Sequence, residues 1–319
     1  GSLTYETETR SIKLDTPPTQ NRPVLNASDD PYNRTSASLS VYPQNISDEN
    51  GDNTTAIVDW RVNGDSLREA YYPFNTNTSS TQTGGIRDYT TNDHDATLGG
   101  GNSGAAPNWQ SACVDGGCYN FEADDYIESS VDMSSVGVDD GFTIAGWVNT
   151  SSSGALFGFD NSAFGGAADS NALIRMTSSG QYEWRVEPAS GSSDAYLATT
   201  STTHDDGDWD YVAGYRDGDT YRIYVNGQLQ GTGVNASLDE AMQSSTRFRI
   251  GTYRAGSYLN GTIDNVAIYN RTLSPQYIQN RYDEGNASLN GDDTVKAQIP
   301  SATTTAAENW TAAVTPNDG

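Results

Sequence analysis

The sequence has no long apolar run, and it contains few lysines, histidines and cysteines. No stretch approaches the roughly 20 apolar residues that a membrane-spanning helix needs. Of its 17 basic residues, only Lys13 and Lys296 are lysines, and no basic stripe exists that could neutralise the phosphates of a nucleic acid. His94 and His204 are the only histidines. With only two histidines, the sequence does not favour a serine–histidine–aspartate triad or a histidine-rich metal site.

Acidic residues dominate the charge. The 42 aspartates and glutamates give a formal net charge of −25 and a pI near 4.1. They are spread along the chain, which favours a surface adapted to high salt. In about 1 M salt, screening shortens the range of like-charge repulsion to about 3 Å. Hydrated carboxylates also keep such a protein soluble. An ordinary acidic secreted protein is the alternative interpretation.

The two cysteines, Cys113 and Cys118, flank an Asp-Gly turn. If this segment is a hairpin, the two residues face each other across the strands at a distance that a disulfide can span. The spacing and the number of ligands do not suit a redox CxxC motif or a zinc site. The sequence therefore predicts a disulfide and an oxidising, extracellular compartment.

Asn-X-Ser/Thr sequons, the acceptor sites of N-glycosylation, are dense and mostly occur in turn-like contexts. A single sequon is weak evidence in a chain this rich in serine and threonine, but their density predicts a cell-surface or secreted glycoprotein. The candidate asparagines are Asn26, Asn33, Asn45, Asn53, Asn77, Asn149, Asn235, Asn260, Asn270, Asn286 and Asn309.

Most segments alternate apolar and polar residues between turn residues, which is typical of an all-β protein. Residues 143–148, 221–225 and 247–250 are clear examples. The pair Asn226-Gly227 predicts a tight hairpin, since both residues tolerate positive φ.

One helix is predicted after Leu273. Ser274 can cap it and Pro275 suits its first position. The residues that would then share one face of this helix are Tyr277, Ile278, Arg281 and Tyr282.

Four segments within residues 70–283 resemble, in order, the laminin-G-like, concanavalin A-like jelly-roll family. They comprise 71–75 with 87–89 and 96–98, then 119–127, then 141–148, and finally 208–213 and 221–227 with 260–274. The last run, which contains Asn260-Gly-Thr-Ile-Asp264, is the most specific. The resemblance implies two facing antiparallel sheets and a module that binds ligands and is not an enzyme.

The alternation predicts a core between two such sheets. The residues expected to line it are Phe142, Ile144, Trp147, Val212, Ile223, Val225, Phe248, Ile250, Ile263, Val266 and Ile268. For Trp147 and Trp209, packing in the core is favoured over stacking on a sugar, because each lies in an alternating pattern.

The jelly-roll resemblance also implies a calcium ion, which takes oxygen ligands. Mapped onto this sequence, the ligands are Asn75, Asp88 and Asp264, although Asn75 stands where the family usually has an aspartate. The alternative is that Asp264 only accepts backbone hydrogen bonds.

The flanking regions resemble immunoglobulin-like repeats of archaeal and bacterial surface proteins. In the first, the segment around Trp60 is similar to the third strand of such a sandwich, whose tryptophan packs on the core. Residues 294–298 and 308–319 resemble later strands of the same family, and the ending 314–319 resembles the turn before its last strand. We therefore expect an immunoglobulin-like domain split into residues 16–69 and 287–319 by the inserted jelly roll, whose ends would lie close together. Together with the acidic surface, the resemblance to these surface proteins suggests that the protein comes from a halophilic archaeon.

This sandwich lacks a last strand, and residues 1–15 hold a strand without a partner. Residues 3–14 resemble that last strand, and a Pro17-Pro18 linker follows. A sandwich without an edge strand invites strand addition. The strand then comes from the next subunit of a filament, from the next unit of a tandem repeat, or from its own chain.

Three functions follow from these patterns. The first is an extracellular structural and adhesive subunit of a filament or pilus-like appendage, whose partners are copies of itself and cell-surface glycans. The second is a monomeric secreted or cell-surface carbohydrate-binding module. The third, an enzyme, is not expected.

Overall fold

The computed structural model describes residues 16–28, 32, 34–136, 141–160, 171–187, 196–234, 247–253, 257–290 and 297–318. These residues form an all-β protein with one α-helix, α1 (Pro275–Leu289). The strands are β1 (Thr19–Ala27), β2 (Leu39–Ser47), β3 (Thr55–Val62), β4 (Asp65–Ser66), β5 (Ala70–Tyr72), β6 (Ala96–Leu98), β7 (Asn108–Gln110), β8 (Cys118–Phe121), β9 (Ile127–Asp132), β10 (Phe142–Asn149), β11 (Gly154–Asp160), β12 (Asn171–Met176), β13 (Tyr182–Glu187), β14 (Tyr196–Thr199), β15 (Trp209–Asp217), β16 (Thr220–Val225), β17 (Gln228–Val234), β18 (Arg247–Ile250), β19 (Gly261–Tyr269), β20 (Ala297–Ile299) and β21 (Trp310–Asn317). Within the described ranges, no helix is long and apolar enough to cross a bilayer.

Two antiparallel sheets build the predicted jelly roll. The first, here the junction sheet, has the order β17-β16-β15-β10-β19-β8-β7, with β5 also pairing with β19. The second, here the distal sheet, has the order β14-β13-β12-β11-β18-β9-β6. Because successive side chains on a strand point to opposite faces, alternate apolar residues of both sheets meet between them.

The core between these sheets contains all but one of the predicted positions. Those that lie in it are Phe142, Ile144, Val212, Ile223, Val225, Phe248, Ile250, Ile263, Val266 and Ile268. Each is at most 2% exposed, and burial of such a side chain contributes about 1.5–3 kcal/mol.

Trp147 is the exception, and its assignment to this core was wrong. It is three positions after Ile144 on β10, so alternation places it on the outer face of the junction sheet. It is nevertheless only 3% exposed, because the Tyr282 ring of α1 stacks on it at 5.7 Å and Tyr211 contacts it at 5.5 Å. Trp209 is partly buried against the same cluster.

The outer face of the junction sheet therefore carries a second core, here the junction core. The sheet contributes a row of aromatic residues that includes Tyr215, Tyr224 and Tyr269, and α1 adds Tyr277 and Ile278. Other members come from outside the jelly roll: Val41, Val58, Trp60, Leu67, Ala297 and Ile299. One face of the jelly roll is thus covered by α1 and by the regions before and after the jelly roll.

Those two regions combine into a small flanking sandwich. One of its sheets has the order β1-β2-β20 and the other β21-β3-β4. Val41 of β2 pairs with Ala297 of β20, and Trp60 of β3 pairs with Ala312 of β21. Segments on either side of the jelly roll therefore share both sheets. The predicted donor strand at 3–14 lies outside the described residues.

Local signals place two further elements as predicted. The α1 helix begins at Pro275, and the Ser274 hydroxyl accepts a hydrogen bond from the Tyr277 amide at 3.2 Å. It continues to Leu289, past the predicted end of the jelly roll at residue 283. The β16–β17 hairpin turns at Asn226 and Gly227, whose φ angles are 51° and 78°.

Candidate functional site

A disulfide-closed loop lies beside β8. Cys113 and Cys118 are bonded, with their Cα atoms 5.8 Å apart, as the sequence predicts. Cys118 begins β8, but Cys113 lies in the connecting loop, and Gln110 is the residue opposite Cys118 in the ladder. The bond therefore closes the loop itself and does not join two facing strand positions.

This loop covers Asp264 of β19. The Asp264 carboxyl is fully buried, and its Oδ2 accepts hydrogen bonds from the amides of Val114 at 3.0 Å and Asp115 at 3.3 Å. Its Oδ1 has no hydrogen-bond partner among the described residues. Burial raises the pKa of Asp264 well above its ordinary value, and the negative charge of Asp115 adds to the shift.

Asn75 contacts the same loop. It is 4% exposed, and its Nδ2 donates to the Thr55 hydroxyl on β3 at 3.0 Å. A Cβ atom at Gly116 would lie 3.0 Å from the Asn75 side chain, so the close approach of the loop requires this glycine, whose φ is +84°. The Asn75 Oδ1 is also buried without a partner in the described part of the chain.

Asp88 is engaged differently. Its Oδ1 accepts from the amides of Tyr71 at 2.9 Å and Thr90 at 3.0 Å. Its Oδ2 accepts from the Thr90 hydroxyl at 2.6 Å and the His94 amide at 3.0 Å. Four donors therefore use both oxygens, and Asp88 joins its own turn to β5.

The predicted calcium ligands thus divide into two that fit the ion and one that does not. Asn75 and Asp264 each bury an oxygen that lacks a donor beside the same loop, and carboxylate and amide oxygens suit calcium. Both oxygens of Asp88 already accept hydrogen bonds from the chain. Among the residues that the structure describes, no three histidine, cysteine, aspartate or glutamate side chains gather as a metal-binding group.

A polar cavity of about 80 Å³ lies next to this loop, between the jelly roll and the flanking sandwich. Its lining includes Arg68, Asp115, Arg281 and Glu284. The Arg68 Nη1 donates to the Val58 carbonyl at 2.8 Å. These charged side chains join the jelly roll, α1 and the flanking sandwich. From the sequence, only Arg281 was identified, as a member of one helix face.

Glu284 is a titratable carboxyl of this junction. Its Oε1 accepts from the Gln298 amide at 2.6 Å, and Arg281 pairs with it. Burial raises the pKa of Glu284 from 4.5 to about 7, although the positive charge of Arg281 partly opposes this shift.

We expect Glu284→Gln to flatten part of the pH dependence of stability. A raised pKa means that the folded state binds the proton more tightly. The contribution of Glu284 is therefore fully present below pH 4.5 and is lost as the pH rises through 7. Urea unfolding at a series of pH values measures the slope. Exposed Glu49→Gln is the control, and equal slopes in both variants would contradict the assignment.

Both histidines contact carboxylates, which the sequence analysis missed. The His94 Nε2 lies 3.0 Å from the Glu69 Oε1, and this hydrogen bond raises the pKa of His94. The His204 Nδ1 lies 3.3 Å from the Asp210 Oδ2. Asp210 also accepts hydrogen bonds from the Tyr182 hydroxyl and the Asn226 amide group, so it braces several segments.

The sequons fall into three groups. Asn149 is half-buried, and its side chain donates to the Gly207 carbonyl at 2.5 Å, which disfavours glycosylation there. Asn33 and Asn235 lie outside the described residues. The exposed sequon asparagines are Asn26, Asn45, Asn53, Asn77, Asn260, Asn270, Asn286 and Asn309.

The flanking sandwich has an open groove at the edge of β21. The groove has a volume of about 430 Å³, and its apolar lining includes Leu25, Leu39 and Trp310. Leu25 of β1 is 42% exposed. Further along β21, the Gln20 Nε2 of β1 donates to the Val314 carbonyl at 2.6 Å.

Comparisons with known proteins agree on the fold. The sequence model of the concanavalin A-like lectin/glucanases superfamily matches residues 121–279. A similar solved structure is domain 4 of a GH43 extracellular arabinanase from Geobacillus stearothermophilus, in complex with arabinotriose. It has a TM-score of 0.51 and 20% identity, over 67% of this chain and 98% of that domain.

The binding domain of botulinum neurotoxin serotype D is also similar, with a TM-score of 0.50 and 12% identity. The match covers 68% of this chain but only 50% of the neurotoxin domain. No curated protein matches the chain. At these identities, the structural likeness concerns the fold alone.

Proposed function

Because the chain carries a laminin-G-like, concanavalin A-like jelly-roll domain, matched over residues 121–279, we propose that it is an extracellular structural and adhesive subunit. The flanking sandwich, proposed to be immunoglobulin-like, joins copies of the chain into a filament by exchanging a strand, and the jelly roll is displayed to bind surface glycans. The open edge of β21 is the observation that carries this proposal.

β21 pairs with β3 on one side, and within the described ranges no strand pairs with its other side. The Val314 carbonyl of β21 accepts a hydrogen bond from the Gln20 side chain, and the other amide and carbonyl groups of such an edge can accept another strand. An added strand would direct alternate side chains into the apolar groove, because side chains alternate along a strand.

The proposed occupant is the segment 3–14 of a neighbouring copy. Leu3 and Tyr5 alternate in one phase and Ile12 and Leu14 in the other, so a bulge near Arg10 is expected. Burial of about four such side chains contributes several kcal/mol, at roughly 1.5–3 kcal/mol each. A tandem repeat or the same chain could supply the same strand, and the experiment distinguishes these sources.

We expect deletion of residues 1–14 to leave soluble subunits that do not polymerise. A synthetic peptide of residues 1–15 should bind them and raise their melting temperature, because it completes the edge of β21. Electron microscopy and light scattering measure assembly, and a peptide with Leu3, Tyr5, Ile12 and Leu14 changed to serine is the control. Filaments formed by the truncated chain would refute assembly by strand exchange, and a full-length monomer whose own strand fills the groove would refute the filament.

A monomeric carbohydrate-binding module is the second candidate. The likeness to an arabinanase domain solved with arabinotriose favours it. A full-length chain that is monomeric by light scattering and binds glycans would support this candidate over the filament. Under either proposal the chain binds glycans and catalyses no reaction, and a calcium ion held by Asn75 and Asp264 stabilises the junction.

We also propose adaptation to high salt, as in a halophilic archaeon, and expect the melting temperature to rise with KCl concentration. Between about 0.1 M and 1 M salt the Debye length falls from about 10 Å to about 3 Å, which weakens repulsion within a chain of net charge −25. Calorimetry across this range measures the effect, and sucrose of equal osmolality is the control. An unchanged or lower melting temperature would favour an ordinary acidic secreted protein.

A further inference from the structure

A cavity of about 320 Å³ opens at one end of the distal sheet, where β11 begins and β12 ends. Its lining includes Gly154, Arg175, Met176, Tyr253 and Tyr258. Small-molecule sites have volumes of roughly 300–1,000 Å³ and combine aromatic surface with a few polar groups. The cavity is therefore large enough for one small ring of a ligand.

Its position keeps this cavity apart from the contacts of the flanking sandwich. The outer face of the junction sheet is covered by α1 and the flanking sandwich, through residues such as Trp60 and Tyr277. The cavity belongs to the opposite sheet. A ligand can thus bind there while the flanking sandwich engages another chain.

We propose that this cavity binds one ring of a neutral sugar, an inference that rests on the glycan-binding role proposed above. Tyr258 is half-buried and Tyr253 is 6% exposed. The flat apolar face of a tyrosine ring packs against the C–H face of a sugar, while its hydroxyl stays available for hydrogen bonding.

Arg175 supplies the polar contact. Its Nε and Nη2 both lie 2.7 Å from the Glu183 Oε1, so Glu183 holds the guanidinium in place. Arg175 lines the cavity, whereas Glu183 is not among the described residues that line it. Arginine provides several N–H donors, and sugar hydroxyls can accept hydrogen bonds from them. Since Glu183 balances the charge of Arg175, the pair does not favour an anionic sugar.

The aromatic wall is held against the sheet. The Ala155 amide donates to the Ser257 carbonyl at 3.3 Å, and the Leu259 amide donates to the Gly251 carbonyl at 2.8 Å. A Cβ atom at Gly154 would lie 2.5 Å from the Tyr258 carbonyl oxygen. The residues on both sides of Tyr258 are therefore held by backbone hydrogen bonds. This lowers the entropy cost of ordering Tyr258 when a ligand binds.

The test titrates the full chain with arabinotriose, cellotriose and mannotriose, and with trigalacturonic acid as an anionic probe, by calorimetry. Tyr258→Ala and Arg175→Gln are each expected to weaken binding of a neutral trisaccharide about tenfold or more, as when a central contact is truncated. Tyr32→Ala, which removes a 68% exposed ring of the flanking sandwich, is the control and should bind normally. Hydrogen exchange should show sugar-dependent protection of residues 154–158 and 257–259.

Three results would overturn the inference, and they differ in what else they affect. If a neutral sugar binds the wild type and both variants equally, the site is wrong but the glycan-binding role stands. If trigalacturonic acid binds as tightly as the neutral probes, the proposed selectivity is wrong. If the wild type binds none of the probes, the glycan-binding role fails as well.

Discussion

Trp60→Ala is expected to lower the free energy of unfolding by about 3–5 kcal/mol, the usual range for removal of a large buried aromatic ring. Trp60 is 1% exposed and contacts Trp310 edge-to-face with ring centroids 6.4 Å apart. It also belongs to the junction core, so the cavity left behind would loosen the flanking sandwich where it packs on the jelly roll. Urea unfolding followed by circular dichroism measures the loss.

A conservative change separates ring packing from hydrogen bonding. The indole Nε1 of Trp60 is buried without a partner among the described residues, so Trp60→Phe removes no hydrogen bond that the structure shows. It should cost much less than Trp60→Ala. Half-buried Trp310→Ala is the matched control and should also cost less. Equal losses in all three variants would show that the junction core does not depend on Trp60.

Asp264→Asn is expected to have opposite consequences with and without calcium. Without the ion, the variant should be as stable as the wild type or more so, since it removes a buried carboxyl whose charged form is penalised by desolvation. With calcium at 100 times its Kd, the wild type should gain about 2.7 kcal/mol and the variant much less. Thermal melts in EDTA and in calcium measure both effects.

Asp88→Asn is the matched control for that experiment. Its carboxylate accepts three hydrogen bonds from its own turn and one from Tyr71 of β5, so the change should destabilise the chain in both solutions and preserve the response to calcium. A wild type whose melting temperature is unaffected by calcium would reject the calcium proposal. A response abolished by Asp88→Asn would show that the division of the ligands is wrong.

Sequence reasoning succeeded where the signal is local. The Ser274-Pro275 pair marks the start of α1, Asn226-Gly227 marks a hairpin, and alternation on β10 places Phe142 and Ile144 in the core. It failed for Trp147, because alternation states which residues share a face but not what covers the other face. Trp147 is buried on that other face by Tyr282 of α1 and by Tyr211.

The site was harder to predict for the same reason. Asn75 and Asp264 were found through a family resemblance. They differ from Asp88 in having a buried oxygen without a donor, and this depends on where the neighbouring backbone and side-chain donors point in the folded chain. Arg68 and Glu284 carry no periodic signal. They meet only because β5 and α1 join the flanking sandwich at the same place. Contacts of this kind between distant segments cannot be predicted from spacing.

The eight-residue ladder between β3 and β21 has a mechanical consequence. Trp60 and Ala312 are paired across it, so the chain between them, which includes the whole jelly roll, is a loop that the ladder closes. Thr55 pairs with Asn317 at one end of the ladder, so tension that enters before β3 and leaves after β21 separates the pairs one after another from that end. The jelly roll lies in the loop that the ladder closes, so it bears no tension and stays folded until the ladder breaks.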